Sequence, residues 1–387
     1  MFKSSTRFAL FTLLIVATLM LCTMVSVHEA KRRKHKCRTR YYYIQAEEVE
    51  WDYTPSGRDL MTGEPLSGNN VNNPSQFLLG NKVQKARYIQ YTDSTFTTKV
   101  PQPKHLGILG PVIRAEVGDR IKVLYRNNAT FTNSIHVHGF FYLKTSEGAA
   151  YLDGTSGTNP AGPGDAIEPG QTYLYEYEVP ERAGPGPDEK VSSLGWMYHS
   201  HALSEPAETQ SGLMGFIVVT RRGSAKKNGK PKDVDRELFA LFKVFDETKS
   251  ALFNFNVQKY LNASGQLSQE TFDRIRNTPK FIDDQAKDSI NGLRYHNLKG
   301  LVMKKGERVR WYIMSVGSVM DIHPAHWHGN TGFENGIHRT DTVLVGPGQN
   351  TIVDMIPDNP GRWMFHCHID DHIDGGMSAT YDVKRRR

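Results

Sequence analysis

The 387-residue sequence predicts an all-β protein built from two Greek-key β-sandwich domains. The composition is turn-rich, with 34 Gly and 19 Pro, and no segment keeps the 3.6-residue apolar period of a long helix. Strand-like alternation recurs along the chain. The two halves also echo each other: "IRAEVGDRIKVLYRNN" and "LVMKKGERVRWYIMSV" both run from a glycine turn and an acid into an alternating strand. Each is followed within a dozen or so residues by a His-x-His, and each half carries a second His-x-His further on. The length suits two separate cores.

Residues 1–30 read as a signal peptide. Lys3 and Arg7 precede the apolar run from Phe8 to Val27, and Ala30 is a candidate cleavage point. The rival is an uncleaved anchor, because the run approaches spanning length and the basic stretch "KRRKHKCRTR" follows it. A secreted protein is the expectation, and the sequons at Asn128 and Asn262 agree with it. Residues 31–40 form a basic arm and 384–387 a basic tail. Without residues 1–40 and that tail, the net charge of +7 becomes 35 bases against 40 acids. The body is therefore mildly acidic and unsuited to nucleic acid, while the arm could touch a polyanionic matrix or an acidic membrane surface.

The first domain is expected over 41–222. "TYLYEYEV" puts Tyr173, Tyr175, Tyr177 and Val179 on one face, and "GFIVVT" (Gly215–Thr220) reads as a fully buried strand. "NPAGPGDAIEPG" and "ERAGPGPDEK" are loops. The polar residues 223–234 read as a linker, and the second domain covers 235–383, where "ERVRWYIMSV" is expected to alternate. Three cysteines give little scope for disulfides. Cys22 lies in the signal segment, and Cys37 is left free or paired between chains if Cys367 binds metal.

Ten of the fifteen histidines fall in four clusters: "IHVHGF" (His136, His138), "WMYHSH" (His199, His201), "HPAHWHG" (His323, His326, His328) and "HCHIDDHIDGGM" (His366, His368, His372). Positions i and i+2 of a strand share a face, so each His-x-His aims two imidazoles the same way. One thiolate, two imidazoles and a weak axial thioether mark a blue-copper electron-transfer site. Cys367, His323 and His372 supply that set, with Met377 as axial ligand. Eight remaining imidazoles are too many for one metal and enough for a cluster. Cys367 then points to the electron-transfer copper while His366 and His368 point the opposite way, so the motif wires two metal sites together. Taken singly, a His-x-His is an ordinary surface or core accident, "HCH" a zinc fragment and Met377 a gap filler; four clusters in this order are not.

These four motifs resemble those of the multicopper oxidases. "AEEVEWDYTP", "HLGILGPVIRAEVGDRIKVLYRNNAT" and "DGTSG" are similar to the ceruloplasmin–hephaestin branch in particular, over nearly all of residues 41–383. The resemblance implies two cupredoxin-type domains and copper as cofactor. His136 and His326 would bind a type 2 copper, and His138, His199, His201, His328, His366 and His368 a type 3 pair. His323, Cys367, His372 and Met377 would form the type 1 site. Ser200 stands where a first-domain type 1 cysteine would be needed. A two-domain chain with both half-sites also resembles the two-domain small laccases, which implies a homotrimer with clusters between subunits.

The implied reaction is oxidation of Fe(II), or another reducing substrate, coupled to reduction of O2 to water. Asp371 matches an acid of the ferroxidase motif. "FIDDQAKDSING" is similar to the segment supplying further iron ligands, making Asp283 and Asp288 candidates, although the family has Glu and His there. The alternatives are a laccase-like oxidase of phenols or aromatic amines and a non-catalytic copper-binding matrix or cofactor-like protein. A copper nitrite reductase needs no eight-histidine cluster.

Overall fold

The computed structural model describes residues 37–66, 79–154, 161–261, 265–317 and 322–386. The signal segment, most of the basic arm and the Asn262 sequon lie outside them. From Thr39 onward the chain forms one unit.

Among the described residues its first half has eight strands: β1 (Thr39–Asp52), β2 (Lys82–Tyr91), β3 (Ile113–Glu116), β4 (Arg120–Asn128), β5 (His136–Val137), β6 (Thr172–Glu178), β7 (Ser193–His199) and β8 (Met214–Thr220). They form two sheets, ordered β2-β1-β4-β6 and β3-β8-β7-β5. In each sheet one pair is parallel, β1 with β4 and β3 with β8, which requires the crossovers of a Greek key. One core joins the two faces, with Ile44, Val123 and Tyr175 from the first sheet and Tyr198, Ile217 and Val219 from the second.

The second half repeats the plan with β9 (Arg236–Asp246), β10 (Ala286–Ile290), β11 (Val302–Lys304), β12 (Val309–Ser315), β13 (His323–Trp327), β14 (Gly332–Glu334), β15 (His338–Thr340), β16 (Thr342–Val345), β17 (Asn350–Met355), β18 (Gly361–Cys367) and β19 (Ser378–Lys384). Its sheets run β10-β9-β12-β17-β14-β15 and β11-β19-β18-β13-β16. The parallel pairs recur in equivalent places, β9 with β12 and β11 with β19. The echo heard in the sequence is thus a duplicated topology, with β14, β15 and β16 added at the edges of the second copy.

Three details differ from expectation. Thr39 already pairs with Arg120, so the last residues of the basic arm belong to β1, and Lys384 of the tail ends β19, where it pairs with Lys304 of β11. The polar stretch 223–234 folds against the first sandwich, with Gly223 N donating to Glu116 Oε1 at 2.6 Å and Thr220 Oγ1 to Gly229 O at 3.1 Å. Strand β12 is buried on both faces instead of alternating. Trp311 and Ile313 fill the second sandwich, while Tyr312 and Met314 join Phe216 and Phe239 in a third core between the halves. Arg310 is tolerated there because its guanidinium forks onto Asp354 at 2.6 and 2.7 Å and reaches Ser193 Oγ at 2.7 Å. Periodicity could not show this, since the second buried face is created by the other domain. The Tyr175–Tyr177–Val179 face and the "GFIVVT" strand are buried as the pattern requires.

Among the described residues, five short helices, none longer than eight residues, fill connections: α1 (Glu205–Ser211), α2 (Phe253–Tyr260), α3 (Gln269–Arg276), α4 (Pro279–Gln285) and α5 (Asp370–Asp374). Among the described residues, no helix is long and apolar enough to cross a membrane.

The seam between halves also holds a fully buried ion pair, Lys85 Nζ to Glu247 Oε1 at 2.6 Å, with Tyr53 OH donating to the same oxygen at 2.5 Å. Removing one partner strands a buried charge. Glu247→Ala is expected to destabilise the protein by about 3–5 kcal/mol in denaturant titration, and Lys85→Met with Glu247→Leu together to cost far less than the sum of the two single changes.

Candidate metal centre

The site grows out of two neighbouring strands. β13 and β18 pair antiparallel, with Ala325 opposite Cys367, His326 opposite His366 and Trp327 opposite Phe365. The two-residue period therefore sends Ala325 and Cys367 into the second core, where Cys367 is 0% exposed, and turns His326 and His366 to the other face. The helix α5 that follows returns His372 to the inner side. Cys367 Sγ lies 3.8 Å from His323 Nδ1 and 3.5 Å from His372 Nδ1, and the two ring nitrogens are 3.2 Å apart. Met377 is buried against this set, and the loop closes on itself through Met377 N to His372 O at 2.8 Å and Cys367 N to Met377 O at 3.1 Å. Neither described cysteine is in a disulfide.

The first half has no counterpart to this set. Ser200 occupies the cysteine position, and its hydroxyl donates to Glu208, whose carboxylate also accepts the backbone N–H groups of Ala202, Leu203 and Ser204 at 2.8, 2.9 and 2.8 Å. Asn133 stands three residues before His136, as His323 stands before His326, and hydrogen-bonds Asn127. A satisfied polar cluster has replaced a soft ligand set.

The remaining eight histidines form two like groups. His136, His138 and His199 bring one ring nitrogen each within 4.8 Å of the others, and so do His326, His328 and His366. His201 flanks the first trio, its ring 5.5 Å from that of His136, and His368 flanks the second, 5.2 Å from His326. In each trio one Nε2–Nε2 approach is close, 3.2 Å for His138–His199 and 3.1 Å for His328–His366. The opposite nitrogens are engaged by carbonyl oxygens: His136 Nδ1 with Glu147 at 2.7 Å, His199 Nδ1 with Ser200 at 3.0 Å, His326 Nδ1 with Asp341 at 3.0 Å and His366 Nδ1 with Cys367 at 2.6 Å. A carbonyl can only accept, so these rings carry their proton on Nδ1 and leave the Nε2 lone pair inward.

Burial and neighbouring imidazoles push His199 down to about 3 and His138 and His366 to about 4, so these three rings are neutral at pH 7. Burial also holds the Cys367 thiol up at about 11, so a metal must displace its proton. Converging neutral imidazoles and one buried thiol with Met are a borderline-to-soft donor set that fits copper.

Among the described residues, no ring contact or hydrogen bond joins the His136 group to the His326 group. The first lines a cleft of about 760 Å³ with Glu205 and Lys249, whereas His328 and His368 are exposed on the surface of the second half. Glu205, 3.2 Å from His201 Nε2, was not singled out from sequence; its only signal is an acid at i+4 of a clustered histidine.

Asp371 is exposed on α5, beside His372. Asp288, on β10, is half-buried beside Gly375 and close enough to His372 and His323 for their charges to act on it. Burial is the largest influence on Asp288 and raises its pKa, against the opposing pull of Arg294 and the two histidines. Asp283 is exposed on α4. Among the described residues these three carboxylates do not gather within 4.8 Å of one another.

Sequence profiles described as "Multicopper oxidase" match residues 105–224 and 263–387, together more than half of the chain. The chain belongs to the multicopper oxidase family. This multicopper oxidase is 38% identical to hephaestin of Rattus norvegicus over 92% of its own length, and 35% identical to ceruloplasmin of Homo sapiens over 89%. A protein of Mus musculus named "Ferroxidase HEPHL1" is 34% identical over 89%. The chain spans about 30% of the length of these relatives. Its fold matches a solved multicopper oxidase with TM-score 0.54 at 20% identity, covering 90% of both chains, and "Multicopper Oxidase mgLAC" with TM-score 0.53 at 21%, covering 90% of this chain and 86% of that one. Copper is the family's metal, and the histidine groups and the Cys367 set are where this chain would hold it.

Proposed function

We propose that this multicopper oxidase is a ferroxidase that couples four one-electron oxidations of Fe2+ to the reduction of O2, with four protons, to two waters. The observation that carries the reading is the Cys367–His323–His372–Met377 set, whose buried Cys367 lies on the same strand as His366, with two carboxylates close by. When bound, copper supplies the one-electron redox chemistry and the O2 reduction. The chain supplies the rest. Cys367 provides the thiolate and shares its backbone with His366 and His368, so a few covalent bonds separate the thiol from the imidazole face. Asp371 and Asp288 offer hard oxygens that hold Fe3+ better than Fe2+ and so favour loss of the electron. Asp283 is kept as a third candidate, exposed on α4.

The reading includes the ligand roles inferred above. His136 and His326 would hold the type 2 copper, and the other six clustered histidines the type 3 pair. Among the described residues no hydrogen bond or ring contact joins the two groups within one chain; in our reading a second copy completes the cluster, and a closed ring of three such contacts is the assembly we favour. Exposed apolar side chains lie close along the chain to both groups: Leu203 (62% exposed) two residues after His201, Leu152 (70%) two residues after Ala150, which pairs with Ala202, and Leu344 (62%) opposite Pro324 on the edge strand next to β13. An extracellular setting, secreted or anchored, completes the proposal, with residues 31–40 as the contact to matrix or membrane surface.

Oxygen uptake by the copper-loaded protein, compared for Fe2+ and a phenol, tests the substrate. Asp371→Ala is expected to lower kcat/KM for Fe2+ by about 10- to 100-fold, or ~1.4–2.7 kcal/mol, and to spare the phenol. A phenol preferred over iron and indifferent to the substitution would point instead to a laccase-like oxidase.

A further inference from the structure

The loop holding His372 and Met377 is gripped from outside by a segment that contributes no metal ligand. Arg294 Nε donates to the Gly375 carbonyl at 2.8 Å, and a terminal nitrogen of the same guanidinium donates to that oxygen too. Tyr295 N donates to Gly376 O at 2.9 Å, His296 N to Ser378 O at 3.1 Å, and Tyr295 OH to Asp374 O at 3.2 Å. Tyr295 and His296 sit in the left-handed region, at φ of 49° and 61°, a strained backbone held in place by these bonds. On its other side the segment is bound to the first half. Arg294 N donates to Tyr53 O at 2.9 Å, its second terminal nitrogen to Asn81 Oδ1 at 2.9 Å, and Leu60 N to Tyr295 O at 3.2 Å. Asp288 packs over Gly375 so closely that a Cβ there would meet its carboxylate oxygen at 2.1 Å, which leaves the turn no room for a side chain.

We propose that Arg294 is a positioning residue: by fixing the Gly375 carbonyl it sets where the Met377 thioether and the His372 ring stand, and it ties the type 1 site to the packing of the first domain. This rests on the type 1 reading of Cys367. Met377 lies two residues beyond the gripped carbonyl and is hydrogen-bonded to both His372 and Cys367 through its backbone, so a shift of Gly375 moves axial and equatorial ligands together. The axial contact of such a site is weak and long, and the potential follows it. Arg294 is 4% exposed and carries its charge permanently. A buried positive charge beside the site favours the reduced metal and balances Asp288.

The test is a redox titration of the blue band, with visible and EPR spectra, on the copper-loaded full chain. Arg294→Gln is expected to lower the potential and change both spectra, because the charge and the fork are lost. Arg294→Lys keeps the charge, so its spectra change while its potential moves less. Asn81→Ala removes the guanidinium's side-chain bond to the first half, one of the segment's bonds there, and is expected to shift the spectra in the direction of Arg294→Lys; it carries the test if the Arg294 variants do not fold. Wild-type potential and spectra in the variants that fold, at full copper, would overturn the proposal. A wild-type protein with no intense blue band would overturn the type 1 reading and this inference with it.

Discussion

Replacing Cys367 with serine is expected to abolish the blue absorption and reduce O2 uptake with Fe2+ to the solvent background. A serine hydroxyl is a hard, protonated donor at neutral pH and cannot stand in for a thiolate between His323 and His372. The residue is 0% exposed in the second core, and the exchange is nearly isosteric, so the fold is expected to survive. The eight other histidines remain, and the variant should still retain copper at their sites. The check is copper content, visible spectrum and oxygen uptake on one preparation. Oxidase activity surviving at full rate would overturn Cys367 as the point of electron entry.

The second large effect concerns assembly. A variant lacking the first-domain group (His138→Ala with His199→Ala) and one lacking the second-domain group (His328→Ala with His366→Ala) are each expected to be inactive. Mixed during assembly, they should recover activity, because a first-domain group intact in one chain meets a second-domain group intact in its neighbour. In a ring with random mixing about one contact in four joins two intact groups, so recovery to roughly a quarter of wild type is expected. If each chain completed its own cluster, mixing would restore nothing. Mass measurement in solution gives the independent check; a monomer with full copper and full activity would sink the ring.

The fold class and the clustering of the His, Cys and Met donors were legible because both depend on short-range pattern. A two-residue period decides which face a strand residue takes, so the alternation in "HCH" places Cys367 inward and His366 outward before any tertiary contact forms, as β18 does in its pairing with β13. The duplication was legible for the same reason, as two copies of one strand pattern. Burial of β12 on both faces was not, because its second face is covered by residues of the other half, Phe216 among them. Nor was the carbonyl that fixes each imidazole's proton, since a backbone oxygen leaves no mark on residue identity.

What the sequence by itself determined, then, is local: strand faces, the types of donor side chain and their order along the chain. The tertiary structure decided the rest through contacts between distant positions. Arg294 grips Gly375 across 81 residues, and Trp51 donates to Gly292 O across 241. It also decided that, among the described residues, the clustered histidines gather as two separate trios rather than one. Such contacts form only when sheet order and the seam between halves bring remote segments together, and one chain's residue pattern does not encode those distances locally.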